Sequence, residues 1–247
     1  MGGQSAEGKS HRVPIRNREG IAMDLFPLWN SLRIAAISAV LVFFLGVAAA
    51  YYASRAPRLV KGVLDVALTL PLVLPPTVVG YLLILLLGPN RVLGSFVLRE
   101  FGVKLLMQWW SAVLAVSVVV FPLMYRTARG AFESFDEDLA AAGRTLGLSN
   151  TRVFWTIRLP ACRQGILAGV VLAFARALGE YGATSMIVGF IPGKTATVAT
   201  QVAFLWQNQG GTPEGQRALL FWICINITIS AIVLITVNLL ERRSPLT

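Results

Sequence analysis

The chain has 247 residues, of which 55% are hydrophobic and only 14% are charged, and its formal net charge is +10. Soluble domains are about 25% charged, so this composition excludes an ordinary soluble domain and indicates a surface that faces lipid. The basic residues lie in short segments between apolar runs, which argues against nucleic-acid binding. His11, Cys162 and Cys224 have no ligand-like spacing, so no metal site is predicted.

Five apolar runs follow one another along the chain, at residues 34–54, 66–90, 105–125, 166–190 and 218–240. About 20 helical residues cover the roughly 30 Å hydrocarbon core of a bilayer. Because irregular backbone is not tolerated where it faces lipid, we expect each run to be helical. The sequence therefore predicts an all-α integral membrane protein with five transmembrane helices, and residues 23–247 form its single membrane domain.

Positive charge is unevenly shared between the two sets of loops. One set and the C-terminal tail hold eleven basic residues: Arg55, Arg58, Lys61, Arg126, Arg129, Arg144, Arg152, Arg158, Arg163, Arg242 and Arg243. The other set holds five: Arg91, Arg99, Lys104, Lys194 and Arg217. Basic loops favour the cytoplasm, which predicts an outside N-terminus and an inside C-terminus. The polar tail 1–22 is basic too, against this rule, and we hypothesise that translation begins at Met23.

The longest predicted cytoplasmic segment, residues 126–164, contains strong helix signals. Ser134 and Glu137 have the spacing of a capping box, and Gly147 is typical of a left-handed helix stop. These signals predict a helix over residues 135–146. A second short helix is predicted to begin at Ser149 or Asn150 and to end at Pro160.

One face of the predicted helix 135–146 is lined by Leu139, Ala142, Gly143 and Leu146, which follow helical spacing. Small side chains allow such a face to approach a partner closely or to lie in a groove on it. The pattern is equally consistent with an amphipathic helix that packs on its own chain.

Three segments carry a resemblance to a known family. Gly147 is followed, after nine residues, by Ile157-Arg158-Leu159-Pro160, which resembles the end of the E-A-A loop in permease subunits of bacterial ATP-binding-cassette importers. The Glu-Ala-Ala of that motif falls on Ala141-Ala142-Gly143, so the glutamate is missing. Residues 71–81 (PLVLPPTVVGY) and 174–184 (FARALGEYGAT) resemble the second and fourth helices of molybdate permeases.

The resemblance implies a permease subunit of the inner membrane that works by alternating access and forms a homodimer. A cytoplasmic ATPase dimer would dock on residues 126–164, which we name the docking loop, and would hold ATP and Mg²⁺. An extracytoplasmic binding protein would deliver the oxyanion, either molybdate or, as alternatives, tungstate or sulfate and thiosulfate. The expected contact residues are Leu139, Ala141, Ala142, Gly143, Leu146, Gly147, Ile157, Leu159 and Pro160.

Two interpretations from other classes compete with the importer. A passive anion channel would not need a docking loop. A membrane-embedded enzyme would need a nucleophile and a base, and the apolar runs contain no such set. We therefore expect no cofactor on this chain and no catalytic residue in it.

The candidate translocation path lies within two of the apolar runs. Pro71, Pro75 and Pro76 remove backbone hydrogen bonds from the second run, which predicts a bent helix at the path or, alternatively, a static kink. Arg176 and Glu180 are four residues apart and are predicted to pair on one helix face. Charges inside a span rarely face lipid, so this pair and the adjacent Tyr181 are candidate gate residues; the alternative is a pair that only neutralises itself.

Overall fold

The fold is that of a computed structural model, which describes residues 24–242. The tail 1–22, Met23 and Arg243 lie outside the described residues. Within them the regular elements are helices: α1 (Phe26–Arg55), α2 (Arg58–Val73), α3 (Pro76–Leu87), α4 (Val92–Phe101), α5 (Trp109–Glu133), α6 (Glu137–Thr145), α7 (Asn150–Ala161), α8 (Arg163–Leu178), α9 (Gly182–Val188), α10 (Val198–Gln209) and α11 (Pro213–Arg242).

Three of these helices, α1, α5 and α11, are each long and apolar enough to cross a membrane. Two bent pairs meet the same criterion: α2 with α3, which are bent by 110°, and α7 with α8, which are bent by 71°. By length and composition, the described residues thus provide three helices that could cross a membrane, or up to five if each bent pair is one span. The all-α membrane fold is as predicted, whereas the number five and the orientation stay predictions.

Side-chain contacts give the relative directions of the long helices. Helices α1 and α5 run parallel, because the Ser38 hydroxyl donates to the Val113 carbonyl near their beginnings and Tyr51 meets Phe132 near their ends. Helix α2 runs antiparallel to α5, because Lys61 pairs with Glu133 whereas Asp65, one turn later, bonds Tyr125. Helix α8 also runs antiparallel to α5, because an added Cβ on Gly165 would meet Ala131 and one on Gly169 would meet Thr127. Helices α1, α2, α5 and α8 therefore alternate in direction, as a chain that repeatedly crosses a membrane requires.

The core of the subunit is built around α5, which packs against α1 and α8. Its buried positions are mostly small or β-branched, among them Ala112, Ala115, Val116 and Ala128. Small residues allow close helix approach where lipid tails compete with any apolar side chain. A separate small cluster around the fully buried Trp222 joins α10 and α11 near the start of α1.

Two predicted helices are broken rather than continuous. The run 66–90 divides between α2 and α3 at Leu74, whose extended backbone follows from its position before Pro75. The run 166–190 divides after Leu178, where α8 ends, and α9 begins only at Gly182. The prediction of one helix per run was therefore wrong at these two places, although a break at the prolines was expected.

The first part of the docking loop is helical, because α5 continues to Glu133. The Ser134 hydroxyl donates back to the Ala131 carbonyl, so it does not cap the next helix. Asp136 caps α6 instead and accepts from the Asp138 amide at 2.9 Å. The predicted capping box was thus wrong by two residues.

The end of α6 and the start of α7 are as predicted. Gly147 has a φ of +83° and ends α6 in a Schellman motif, in which the Leu148 amide donates to the Gly143 carbonyl at 3.1 Å. Ser149, rather than Asn150, caps α7. Helix α7 contains a π-helical turn at Phe154–Arg158 and continues through Pro160 to Ala161, one residue beyond the predicted end.

Candidate functional site

The two helices of the docking loop pack on each other at Gly143. A Cβ added there would lie 2.6 Å from Ile157 Cδ1 and 3.3 Å from Val153 Cγ2. Gly143 is buried, and Ile157 is half-buried. These two residues of the predicted contact set therefore hold α6 against α7.

The remaining predicted residues of α6 face outwards. Leu139 is 50% exposed and Leu146 is 83% exposed, and Ala141 and Ala142 are exposed between them. Gly147 and Pro160 are also exposed, whereas Leu159 is half-buried against the core. The face predicted from helical spacing is consequently divided: Gly143 packs inwards, and an apolar ridge of Leu139, Ala142 and Leu146 is left uncovered.

An arginine that the sequence analysis treated only as loop charge anchors the docking loop. Arg158 is 1% exposed, and its Nη2 donates to both carboxylate oxygens of Glu137 at 2.6 Å. Its guanidinium carbon lies 4.6 Å from the centre of the Phe135 ring. A buried charge requires a partner of this kind, so Arg158, which belongs to α7, fixes the first turn of α6 to α7.

The candidate path residues meet where α3 packs on α9. Gly182 lies against the first turn of α3, where an added Cβ would be 2.8 Å from Pro76 Cβ. On α3, a Cβ on Gly80 would be 2.9 Å from the Ala183 Cα. The structure therefore brings Pro75 and Pro76 together with the connection that carries Glu180 and Tyr181.

The predicted pair of Arg176 and Glu180 is formed, but not on one helix face. Arg176 Nη1 lies 2.7 Å from Glu180 Oε2, yet α8 ends at Leu178, so Glu180 belongs to the connection. Its other oxygen, Oε1, accepts from the Ala183 amide at 3.0 Å and so caps α9. This cap begins α9 as a separate helix after the break, which the apolar pattern did not reveal.

Burial differs sharply between the two members of this pair. The side chain of Glu180 is 1% exposed, whereas that of Arg176 is 39% exposed. Thr184, one turn into α9, is also buried, and its hydroxyl has no hydrogen-bond partner. Tyr181 is 40% exposed beside them. The arrangement presents a partly free guanidinium that is held by a buried carboxylate, which is suited to meeting an anion.

Several transport permease proteins are similar to this chain over 71% to 88% of its length. The molybdenum transport system permease protein ModB of Escherichia coli is 41% identical over 222 residues, which cover 88% of this chain and 95% of that protein. The putative molybdenum permease YvgM of Bacillus subtilis is 41% identical over 176 residues, with 71% and 78% covered. The sulfate permease CysW of Synechococcus elongatus is 34% identical over 214 residues, with 87% and 73% covered.

Solved structures agree on the fold. An inward-facing MetNI methionine transporter aligns with a TM-score of 0.68 at 11% identity, covering 92% of this chain and 98% of that one. A bacterial alginate transporter aligns with a TM-score of 0.71 at 17% identity, covering 94% and 83%. Residues 42–244 match the binding-protein-dependent transport system inner membrane component. The chain therefore belongs to the family of inner-membrane components of binding-protein-dependent transport systems.

Proposed function

We propose that this chain is the membrane-spanning subunit of an ATP-driven importer that carries molybdate. The observation that carries the proposal is the 41% identity to the molybdenum permease of Escherichia coli over 95% of its length. The sulfate permease from Synechococcus elongatus is less similar and is covered less fully. Permeases of this family are transport subunits, so ATP hydrolysis belongs to a separate subunit and a binding protein supplies the cargo.

The docking loop is the surface that we assign to the ATPase. Two features support this assignment: the apolar ridge of Leu139, Ala142 and Leu146 is exposed, and the loop beneath it is fixed by Gly143 and Arg158. An exposed apolar patch on a rigid support is typical of a protein interface. Because Ala141 replaces the glutamate of the family motif, the contact at that position is apolar rather than ionic.

A second copy of the chain completes the transporter in this proposal. Helix α2 buries no residue within the subunit, and only 17% of the apolar window of α11 is buried. Such helices need lipid or another subunit against them. The path would then run beside the bent pair α2–α3, with Pro75, Pro76, Arg176, Glu180 and Tyr181 at its gate, and α6 would lie on the cytoplasmic side.

The cargo is tested by molybdenum content in cells that lack this gene and grow on scarce molybdate, with radiolabelled sulfate uptake measured in parallel. We expect molybdenum to fall while sulfate uptake stays normal, and a plasmid copy to restore molybdenum. Added tungstate tests whether the two anions share one transport route, because a low concentration of tungstate would then inhibit molybdate uptake. Normal molybdenum with impaired sulfate uptake would transfer the assignment to sulfate.

The docking surface is tested by Leu146→Asp, with Leu59→Asp as the matched control. Leu146 is 83% exposed and Leu59, at the start of α2, is 82% exposed, so both changes place the same charge at equally open positions. A central interface residue contributes about 2 kcal/mol or more, which is roughly thirtyfold in affinity. We expect co-purification of the ATPase to be lost with Leu146→Asp alone. Equal retention in both variants would refute this docking surface.

A further inference from the structure

A row of five polar side chains joins α2 to α5 near the start of α6. Lys61 and Asp65 come from α2, and Tyr125, Arg129 and Glu133 come from α5. Spacing by four residues places each set on one helix face. We name this row the ion-pair ladder, and the proposed function assigns it no role.

The contacts of the ladder alternate between the two helices. The Tyr125 hydroxyl donates to Asp65 Oδ1 at 2.6 Å, and Arg129 pairs with the same carboxylate. Arg129 Nε donates to Glu133 Oε1 at 2.9 Å, and Lys61 pairs with Glu133 at the end of the row. Every charge thus has an opposite charge beside it, and the two acids balance the two bases.

The partial exposure of these groups is consistent with a contact between α2 and α5 that is maintained while each of its ion pairs can break and re-form. The four charged side chains are between 20% and 37% exposed, and ion pairs at such positions are individually weak because water screens them. Tyr125, by contrast, is fully buried and fixes Asp65 from the core side. Since α2 buries no residue of its own, the ladder is its principal polar attachment to the packed part of the subunit.

The ladder lies between α6 and the candidate gate. Glu133 is the last residue of α5, and three residues separate it from α6. On the other side, α2 runs from Lys61 to Val73 and then meets the break at Pro75. A displacement of α6 relative to the membrane therefore acts on Glu133, and through Lys61 and Asp65 it acts on the helix that leads to the break.

We propose that the ion-pair ladder makes α2 follow the docking loop, so that movement imposed on α6 by the ATPase reaches the bent pair α2–α3. Lys61 and Glu133 are positioning residues in this scheme, since they contact neither ATP nor the transported anion. The inference rests on the proposed docking of an ATPase. The inference adds the contacts through which ATPase docking would change the translocation path beside the bent pair α2–α3.

The test uses the complete complex, with its ATPase and oxyanion-binding protein, in proteoliposomes. Molybdate uptake and ATP hydrolysis are measured together for Lys61→Glu, which opposes Glu133 with a like charge. We expect hydrolysis to continue while uptake per ATP falls roughly fivefold or more, the range of a coupling free energy between two sites. Lys61→Met should show a smaller fall, and Lys61→Arg should restore the wild-type ratio.

The matched control is Arg58→Glu, which makes the same charge change on the first turn of α2, at an exposed residue outside the ladder. It should leave uptake per ATP unchanged. An unchanged ratio in Lys61→Glu would overturn the proposal. So would a parallel loss of uptake and hydrolysis, because a merely structural role would lower both together.

A second readout separates this inference from the identity of the cargo. A fluorescent probe on Val73→Cys, with the exposed Cys224 replaced by Ser, reports the surroundings of the end of α2. ATP should change its emission in the otherwise wild-type complex and not in Lys61→Glu. If the wild-type complex took up no molybdate, the proposed cargo would fail, while this emission change would still decide the ladder. An ATP response that persists in Lys61→Glu would overturn the ladder.

Discussion

Helices α5 and α2 are neighbours of similar apolar character, but they are covered very differently. In α5, 61% of the apolar window is buried, whereas α2 has no buried residue. Hydropathy does not separate them, because lipid tails and protein interiors are equally apolar. Small residues at the contacts do: Gly46, Gly165 and Gly169 each abut α5, while nothing lies within 4 Å of a Cβ built on Gly62 in α2. The difference distinguishes the part that folds within one subunit from the part that awaits lipid or a second copy.

The largest effect is expected from Gly169→Leu compared with Gly62→Leu. A Cβ at position 169 would collide with Thr127 and lie 3.0 Å from Met124 Sδ, in the middle of the α5–α8 contact. Overpacking of this kind costs about 1–3 kcal/mol and more where backbone must move. We expect Gly169→Leu to abolish recovery of folded protein from detergent extracts, measured by monodisperse yield.

The Gly62→Leu variant should fold with normal yield, because no neighbour within the subunit occupies that space. An equal loss of monodisperse yield in both variants would mean that α2 is as tightly packed as α5, which would contradict the difference between the two helices.

A smaller effect, confined to assembly, is expected from Val66→Arg in α2. Val66 is 67% exposed, and Val40 in α1 is 57% exposed and serves as the control. Arginine in the middle of a span costs roughly 3 kcal/mol, so both variants bear a similar insertion penalty. If α2 faces a second copy, Val66→Arg should yield single subunits and Val40→Arg should not. Light scattering of the purified protein measures this, and paired subunits in both variants would contradict it.

The smallest of the three effects is expected from Glu180→Gln. This change tests the ion pair between Arg176 of α8 and Glu180, the residue that caps α9. Glutamine still accepts from the Ala183 amide but releases Arg176. An ion pair with one buried partner contributes more than the roughly 0–1 kcal/mol of an exposed pair, so we expect molybdate uptake to fall about tenfold, equivalent to about 1.4 kcal/mol, while assembly persists. Glu100→Gln, at an exposed residue of α4, is the control. Normal uptake with normal assembly would assign the pair to neutralisation alone.

The sequence predicts the apolar helices and the helix–glycine–helix form of the docking loop well, because these follow from local patterns. Gly147 must adopt a positive φ, and Ser149 supplies a cap, whatever surrounds them. The proline break before Pro76 is equally local. The pairing of Arg176 with Glu180 also follows from spacing, although its helical setting does not.

The remaining features depend on contacts distant in sequence. Arg158 is separated by 21 residues from Glu137, and Tyr125 by 60 residues from Asp65, so no periodicity reveals either pair. The π-helical turn at Phe154–Arg158 carries no composition signal. Helix α8 ends at Leu178, and the Glu180 side chain caps α9; a pattern of apolar residues carries no information about this polar contact.

The close contact of α3 with α9 also limits how such a transporter can diverge during evolution. Gly80 meets the backbone of Ala183, and Gly182 meets the first turn of α3. The obstacles are main-chain atoms of Ala183 and Thr77 together with the Cβ atoms of Met186 and Pro76. Because none of these is the far end of a flexible side chain, a larger residue at Gly80 or Gly182 would require the backbone to move. New cargo preferences would therefore arise around this contact rather than in it, for example at the exposed Tyr81 and Tyr181, which adjoin Gly80 and Gly182 in sequence and have room for other side chains.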